Sequence, residues 1–293
     1  MAISQQPRRA YVATITNAAY VPGAFLVHHR LRVLGSPYPF IVLAPPTLPD
    51  RARRFLEDVG VEVIAVGRTW ASKDAVPHWE KLSAFGVDLD RIIMIDVDVY
   101  VRHSIDTLFD VPLHRGQIAG VIDCPGECHQ PGGSICPFPE PGSVTDRASY
   151  SAPLSPQINT GLVVVEPSPA LASRLGEFLR CNADAQAWGK SDQALINNVW
   201  LNAIVYLPLT FNLQAHAIGH HPNWRRAISD AHVYHFSANK PWLKPSDTAS
   251  WQYRCDVPEM TRLWWSSFDE AVSLLSPADA TYILGLVDET QRV

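Results

Sequence analysis

The chain has 293 residues, 47% hydrophobic and 18% charged, a composition that supports a sizeable core and excludes a disordered chain. Its net charge of −5 offers no basic footprint for nucleic acid or an anionic membrane. Five cysteines, three of them at 124, 128 and 136, are an odd set that argues against a disulfide framework; with no cleavable leader and no long apolar run, the expectation is a soluble, cytoplasmic protein.

"AYVATIT" at 10–16 alternates as a strand, and "GAFLVHHRLRVLG" carries apolar residues at helical spacing until Gly35 and Pro37 stop it. "PFIVLAPP" reads as a second buried strand, "DRARRFLEDVG" as a helix with a glycine exit, and "VEVIAV" as a third strand. Such a succession implies a mostly parallel sheet with helices on both faces. "HWEKLSAFGV" is predicted as the next helix, leading into "RIIMIDVDVYV" at 91–101, where an apolar strand followed by acids is the signature of a central parallel strand whose carboxyl end opens into a ligand crevice. On an extended backbone Asp96 and Asp98 point to the same side, where a divalent cation would offset their repulsion.

Residues 123–157 are rich in Pro, Gly, Ser and Cys and read as a long ordered loop or lid. "INTGLVVVEPS" returns to strand, "PALASRLGEFLRCN" is helical, and "SDQALINNVWLN" starts a helix capped by Ser191 or Asp192. "AIVYLPLTFNLQ" is strand-like, "AHVYHFSANKPW" is a short strand ending in a polar turn, and "PEMTRLWWSSFDEAVSLL" is an amphipathic helix. There is no internal repeat. The expectation is one α/β domain over 8–275 with an insertion at 123–157, followed by a C-terminal extension at 276–293.

Taken alone, the Asp96-Val97-Asp98 string is a weak signal, because such strings also mark ordinary solvated strand ends. Its position after a buried β run strengthens it, since unpaired carboxylates there would carry a desolvation cost. Hard ions such as Mg²⁺ or Mn²⁺ suit oxygen ligands and are commonly shared with substrate phosphates. His235 is by default a satisfied core histidine, yet Asn239 and Lys240 follow within one turn, which pairs a nitrogen ligand with a cation for phosphate oxygens. A nitrogen ligand favours Mn²⁺ over Mg²⁺. Cys124, Cys128, His129 and Cys136 match no regular zinc-finger spacing, and a loop of reduced thiols is the preferred reading.

"RIIMIDVDVYVRHSIDTLFD", "INTGLVVVEPS", "SDQALIN" and "HFSANKPW", in this order, resemble glycosyltransferase family 8, the group of glycogenin and galactinol synthase. The likeness runs from "AYVATITNAAYVPGA" to the Lys-Pro-Trp at 240–242. It implies a GT-A type fold, a UDP-sugar donor used with Mn²⁺ (or Mg²⁺), and retention of anomeric configuration. On the same resemblance, Asp96, Asp98 and His235 match the metal ligands, Lys240 the residue that binds the diphosphate, and Lys81 a lysine near the donor sugar and phosphates. Thr14, Thr16, Asn17 and Tyr20 fall where the family holds uridine, and Val97 is grouped with the donor contacts. Asn159, Asp192 and Gln193 fall where it contacts the transferred sugar, with Asp192, Gln193 and Lys81 as the catalytic set.

Ser237 and Ala238 depart from the family's glycine-bearing turn, and Gly189 and Lys190 stand where glycogenin carries an acidic residue. The insertion beginning "VIDCPGECHQ" and the Trp264-Trp265 pair are closer to the galactinol synthase branch. That likeness implies transfer of glucose or galactose to a hydroxyl acceptor, either a saccharide or a small polyol such as inositol; a homodimer is left open. Two alternatives remain. "DVDVY" also fits the nucleophile string of a haloacid-dehalogenase-type phosphatase, but no convincing downstream acidic pair accompanies it. A catalytically inactive nucleotide-sugar-binding module would not need the intact set of Asp96, Asp98, His235, Lys81 and Lys240.

Overall fold

The computed structural model describes residues 7–67, 77–123, 157–181, 192–215, 218, 227–237, 239–243, 257–288 and 290. Most of the predicted loop or lid, with Cys124, Cys128, His129 and Cys136, lies outside them, as do Gly189, Lys190, Ser191 and Ala238.

Strand residues with apolar side chains at every position need cover on two faces, and the sheet provides it. β1 (Arg9–Thr14), β2 (Phe40–Ala44) and β4 (Arg91–Ile95) send Tyr11, Val42 and Ile93 into one core and Val12, Leu43 and Met94 into the other. The first core is closed by α1 (Val21–Val33), α2 (Asp50–Asp58) and α5 (Pro258–Ser273) through Phe25, Phe55 and Trp264. Leu175 of α3 (Pro169–Cys181), Ile196 of α4 (Asp192–Val199) and Phe85 close the second. The short β3 (Glu62–Ala65) forms one exposed edge.

With β6 (Ile118–Ile122), β7 (Ile158–Val165) and β8 (Ile204–Leu207), these strands make a seven-stranded sheet in the order β3-β2-β1-β4-β7-β6-β8. Only β7 runs against the rest: it pairs antiparallel with both β4 and β6, whereas the other pairings are parallel. Its reversal has a functional consequence. The first residues of β7, Asn159 to Gly161, arrive at the carboxyl end of β4.

Three local expectations change. β4 stops at Ile95, directly before the acids as expected, but Asp96–Asp98 is a bend and not extended backbone, and β5 (Val99–Val101) enters a second, three-stranded sheet. Hydrogen bonds on either side impose the bend, from Asp96 N to Gly161 O (2.8 Å) in the first sheet and from Phe236 N to Asp98 O (2.8 Å) in the second. There β5 pairs antiparallel with β10 (Val233–His235), which lies parallel to β9 (Leu213–Gln214). The predicted helix around Lys81 is a 3₁₀ run over Pro77–Gly86, whose three-residue repeat places Leu82 and Phe85 together in the core. "AIVYLPLTFNLQ" is broken after Leu207 by Pro208, which has no N–H for the ladder, and passes through a 3₁₀ turn at Leu209–Phe211 before β9.

Residues 276–284 begin with Ser276, whose hydroxyl caps α6 (Pro277–Leu284) by accepting from Asp279 N at 3.2 Å. α6 docks on α2 through an Arg51–Asp279 ion pair at 2.6 Å and a Phe55–Tyr282 ring contact. Among the described residues, no helix is long and apolar enough to cross a membrane.

Candidate active site

A cavity of about 370 Å³ opens at the carboxyl ends of β1 and β4. That end of a parallel sheet is free of ladder partners and is the usual place for a ligand. Twelve of the thirteen residues singled out from the sequence line it: Thr14, Thr16, Tyr20, Lys81, Asp96, Val97, Asp98, Asn159, Asp192, Gln193, His235 and Lys240. Asn17 is the exception; its side chain accepts from Ala19 N at 2.9 Å and caps the 3₁₀ turn Ala18–Tyr20. Thr160, Gly161 and Ser237 line the cavity as well.

The bend between the two sheets sets the acidic centre. Ligand atoms of Asp96, Asp98 and His235 lie within 4.8 Å of one another, although His235 is far away in sequence and comes from the second sheet. The imidazole packs against Gly161, where a Cβ would come 2.2 Å from Cε1, so the glycine makes room for the ring. Two carboxylates and one imidazole nitrogen form a donor set suited to a divalent cation.

Two lysines balance the acids. Lys81 Nζ lies 2.7 Å from Asp96 and 3.3 Å from Asp192, and Lys240 hydrogen-bonds Asp98. Burial pushes the Asp98 pKa upward, but the Lys240 charge and the His235 imidazole beside it outweigh burial and hold that carboxyl well below its usual range. For Asp96 burial prevails over Lys81, and its pKa is raised. Both lysines are pushed up despite burial, Lys81 by Asp96 and Asp192 and Lys240 by Asp98.

On the far wall, Thr160 orders the start of α4. Its Oγ1 donates to Asp192 Oδ2 (3.0 Å) and its backbone N–H to Gln193 Oε1 (3.2 Å). Thr14 Oγ1, buried in the cavity wall, has no hydrogen-bond partner among the described residues. Reading the sequence missed Thr160, Asp123 and Asn212. Asn212 carried a signal of its own, an amide inside the apolar run "LPLTFNLQ"; it is fully buried, with Oδ1 at 3.0 Å from His235 Nδ1.

A parallel sheet with one reversed strand, and an acidic bend facing basic side chains at its ligand-binding edge, define a nucleotide-sugar transferase of the GT-A type. Solved structures agree on the fold. The chain superposes on a galactosyltransferase LgtC bound to donor and acceptor sugar analogues with a TM-score of 0.63 and 17% identity, covering 94% of this chain and 100% of that one. The bifunctional glycosyltransferase WbbM gives a TM-score of 0.65 at 15% identity, over 98% of this chain and 53% of that one. The family model for glycosyl transferase family 8 matches residues 81–246, and the chain belongs to that family. Among relatives, galactinol synthase 4 of Arabidopsis thaliana is 28% identical over 94% of this chain and 86% of its own length, and galactinol synthase 7 is 28% identical over 92% and 86%. The protein is a UDP-sugar-dependent hexosyltransferase, which sets aside the phosphatase reading of "DVDVY".

Proposed function

We propose that the protein transfers a galactosyl group from UDP-galactose to a hydroxyl of a small polyol such as inositol, with retention of configuration and with a divalent cation, Mn²⁺ in preference to Mg²⁺. The choice of sugar and acceptor rests on the galactinol synthases that match nearly the whole chain. The observation that carries the chemistry is the convergence of Asp96, Asp98 and His235 within 4.8 Å, flanked by Lys81 and Lys240.

These three side chains would hold the cation, and when bound it would stabilise negative charge on the departing diphosphate. Lys240 adds a positive charge on the same side and is suited to pair with the diphosphate. Thr14, Thr16 and Tyr20 line the cavity and would hold the uridine. Lys81 and Thr160 hold the Asp192 carboxylate, and Thr160 N–H and Asp123 fix the Gln193 amide, so both groups would meet a bound sugar already ordered. An anionic and an amide oxygen there suit the positive charge that develops at the anomeric carbon.

The test is UDP release from UDP-galactose, UDP-glucose, UDP-glucuronate and UDP-N-acetylglucosamine, each with inositol, simple sugars or no acceptor. UDP-galactose with inositol should turn over fastest, EDTA should stop the reaction and Mn²⁺ restore it. Asp98→Ala should lower the rate by roughly 10²-fold or more while the circular dichroism spectrum is unchanged. Equal turnover without acceptor would replace transfer by hydrolysis or self-modification, and full activity in Asp98→Ala would remove the proposed metal site.

A further inference from the structure

We infer that Asn212 is a positioning residue that holds His235 as its Nδ1–H tautomer, so that Nε2 presents a lone pair to the Asp96–Asp98 bend; the role given to that lone pair rests on the metal-binding reading above. The assignment follows from two backbone N–H groups, whose role as donors is unambiguous. Gly161 N lies 2.9 Å from one terminal atom of the Asn159 amide, so that atom is the oxygen. The opposite end agrees: Asn159 Nδ2 lies 3.1 Å from Asp123 Oδ1. Asp123 is itself an acceptor on both oxygens. Thr160 N–H fixes the Gln193 oxygen at 3.2 Å, which turns Gln193 Nε2 toward Asp123 Oδ2 at 2.8 Å.

With Asn159 Oδ1 settled as an acceptor, the Asn212 atom 2.9 Å from it must be Nδ2. Asn212 Oδ1 then faces His235 Nδ1 at 3.0 Å, and a hydrogen bond there requires the proton on Nδ1. In the neutral ring Nε2 is then the unprotonated nitrogen, and it stands 3.3 Å from Asp98 Oδ1. A proton or a metal cation can join two such acceptors, and the metal-binding reading takes the second. Asn212 and His235 are both buried, so water does not compete for these bonds, and the chain from Gly161 to the imidazole has no freely rotating hydroxyl that could reverse it. A ligating histidine held through its other ring nitrogen is oriented as well as tautomerised.

The experiment combines ¹⁵N–¹H correlation of the His235 ring in metal-free protein at alkaline pH with Mn²⁺ affinity by electron paramagnetic resonance. In the natural sequence Nδ1 should carry the proton; a pyridine-type Nδ1 overturns the inference. Asn212→Leu should shift the proton to Nε2 and weaken Mn²⁺ binding about 10- to 100-fold. Asn212→Asp, which keeps an acceptor opposite Nδ1 whether its carboxyl is charged or protonated, should retain the Nδ1–H tautomer and bind Mn²⁺ more tightly than Asn212→Leu. Wild-type affinity in a folded Asn212→Leu overturns the positioning role. Should Asn212→Leu fail to fold, the spectrum of the natural protein and that of Asn212→Asp still decide the tautomer. A protonated Nδ1 in a protein that binds no Mn²⁺ supports the tautomer and overturns the metal reading instead.

Discussion

Lys240 occupies the place a metal would contest. Its ammonium group bonds Asp98 and also reaches the carbonyls of Phe236 and Ser237 at 3.2 and 3.3 Å, so without a cation it neutralises the acidic bend from inside the protein. Removing it should therefore act in opposite directions on the two ligands. Lys240→Met should raise Mn²⁺ affinity without nucleotide by roughly 5-fold or more, because the competitor for Asp98 is gone. The same variant should weaken UDP about 10- to 100-fold in saturating Mn²⁺, the worth of a hydrogen bond from a charged donor. Spin resonance reads the first and calorimetry the second. A variant that loses affinity for both would make Lys240 a structural residue and not an internal counter-ion.

At the scale of elements, α1 supports the acidic bend from behind. A Cβ on Gly23 would lie 2.4 Å from the Val97 carbonyl and 2.7 Å from the Trp242 ring, neither of which can yield without moving the Asp96–Asp98 segment. Gly23→Ala should cost about 1–3 kcal/mol of stability by overpacking and should also weaken Mn²⁺ and UDP binding. Gly35→Ala is the control: its φ of 72° makes a side chain strained, by about 1–2 kcal/mol, but nothing lies within 4 Å and binding should be untouched. Urea titrations with and without ligand separate the two. That bend was hidden in the sequence for a physical reason. Val99 to Val101 continue the apolar pattern of Ile92 to Ile95, and only partners distant in the chain, Gly161 O and Phe236 N, divide the run between two sheets. The early strands were legible as short apolar runs closed by turn residues, and α1 and α2 as longer segments that end at Gly35 and Gly60.

Across the whole molecule, the order of site-bearing blocks was readable while their geometry was not. "INTGLVVV" has no intrinsic direction, and the reversal that brings Asn159 to Gly161 beside Asp96 is decided by pairing with β4 and β6. The link between the C-terminal helices and the Tyr20 side of the cavity is also a tertiary fact. Trp242 donates from Nε1 to Ala19 O at 2.8 Å, accepts from Asp288 N at 2.9 Å, and stacks on Trp264, which in turn stacks on Phe268. Ala19 immediately precedes Tyr20 in the cavity wall, so α5 steadies the proposed nucleotide end through Trp242. Trp264→Ala should cost about 3–5 kcal/mol, seen as a lower urea midpoint, and should weaken UDP under conditions where the variant is still folded. Trp264→Phe keeps a stacked ring and removes an Nε1–H that has no partner among the described residues, and should cost less than half as much with UDP affinity near that of the natural protein. If Trp264→Ala lost stability but bound UDP normally, α5 would support the core alone, and the path through Trp242 to Ala19 would carry no part of donor binding.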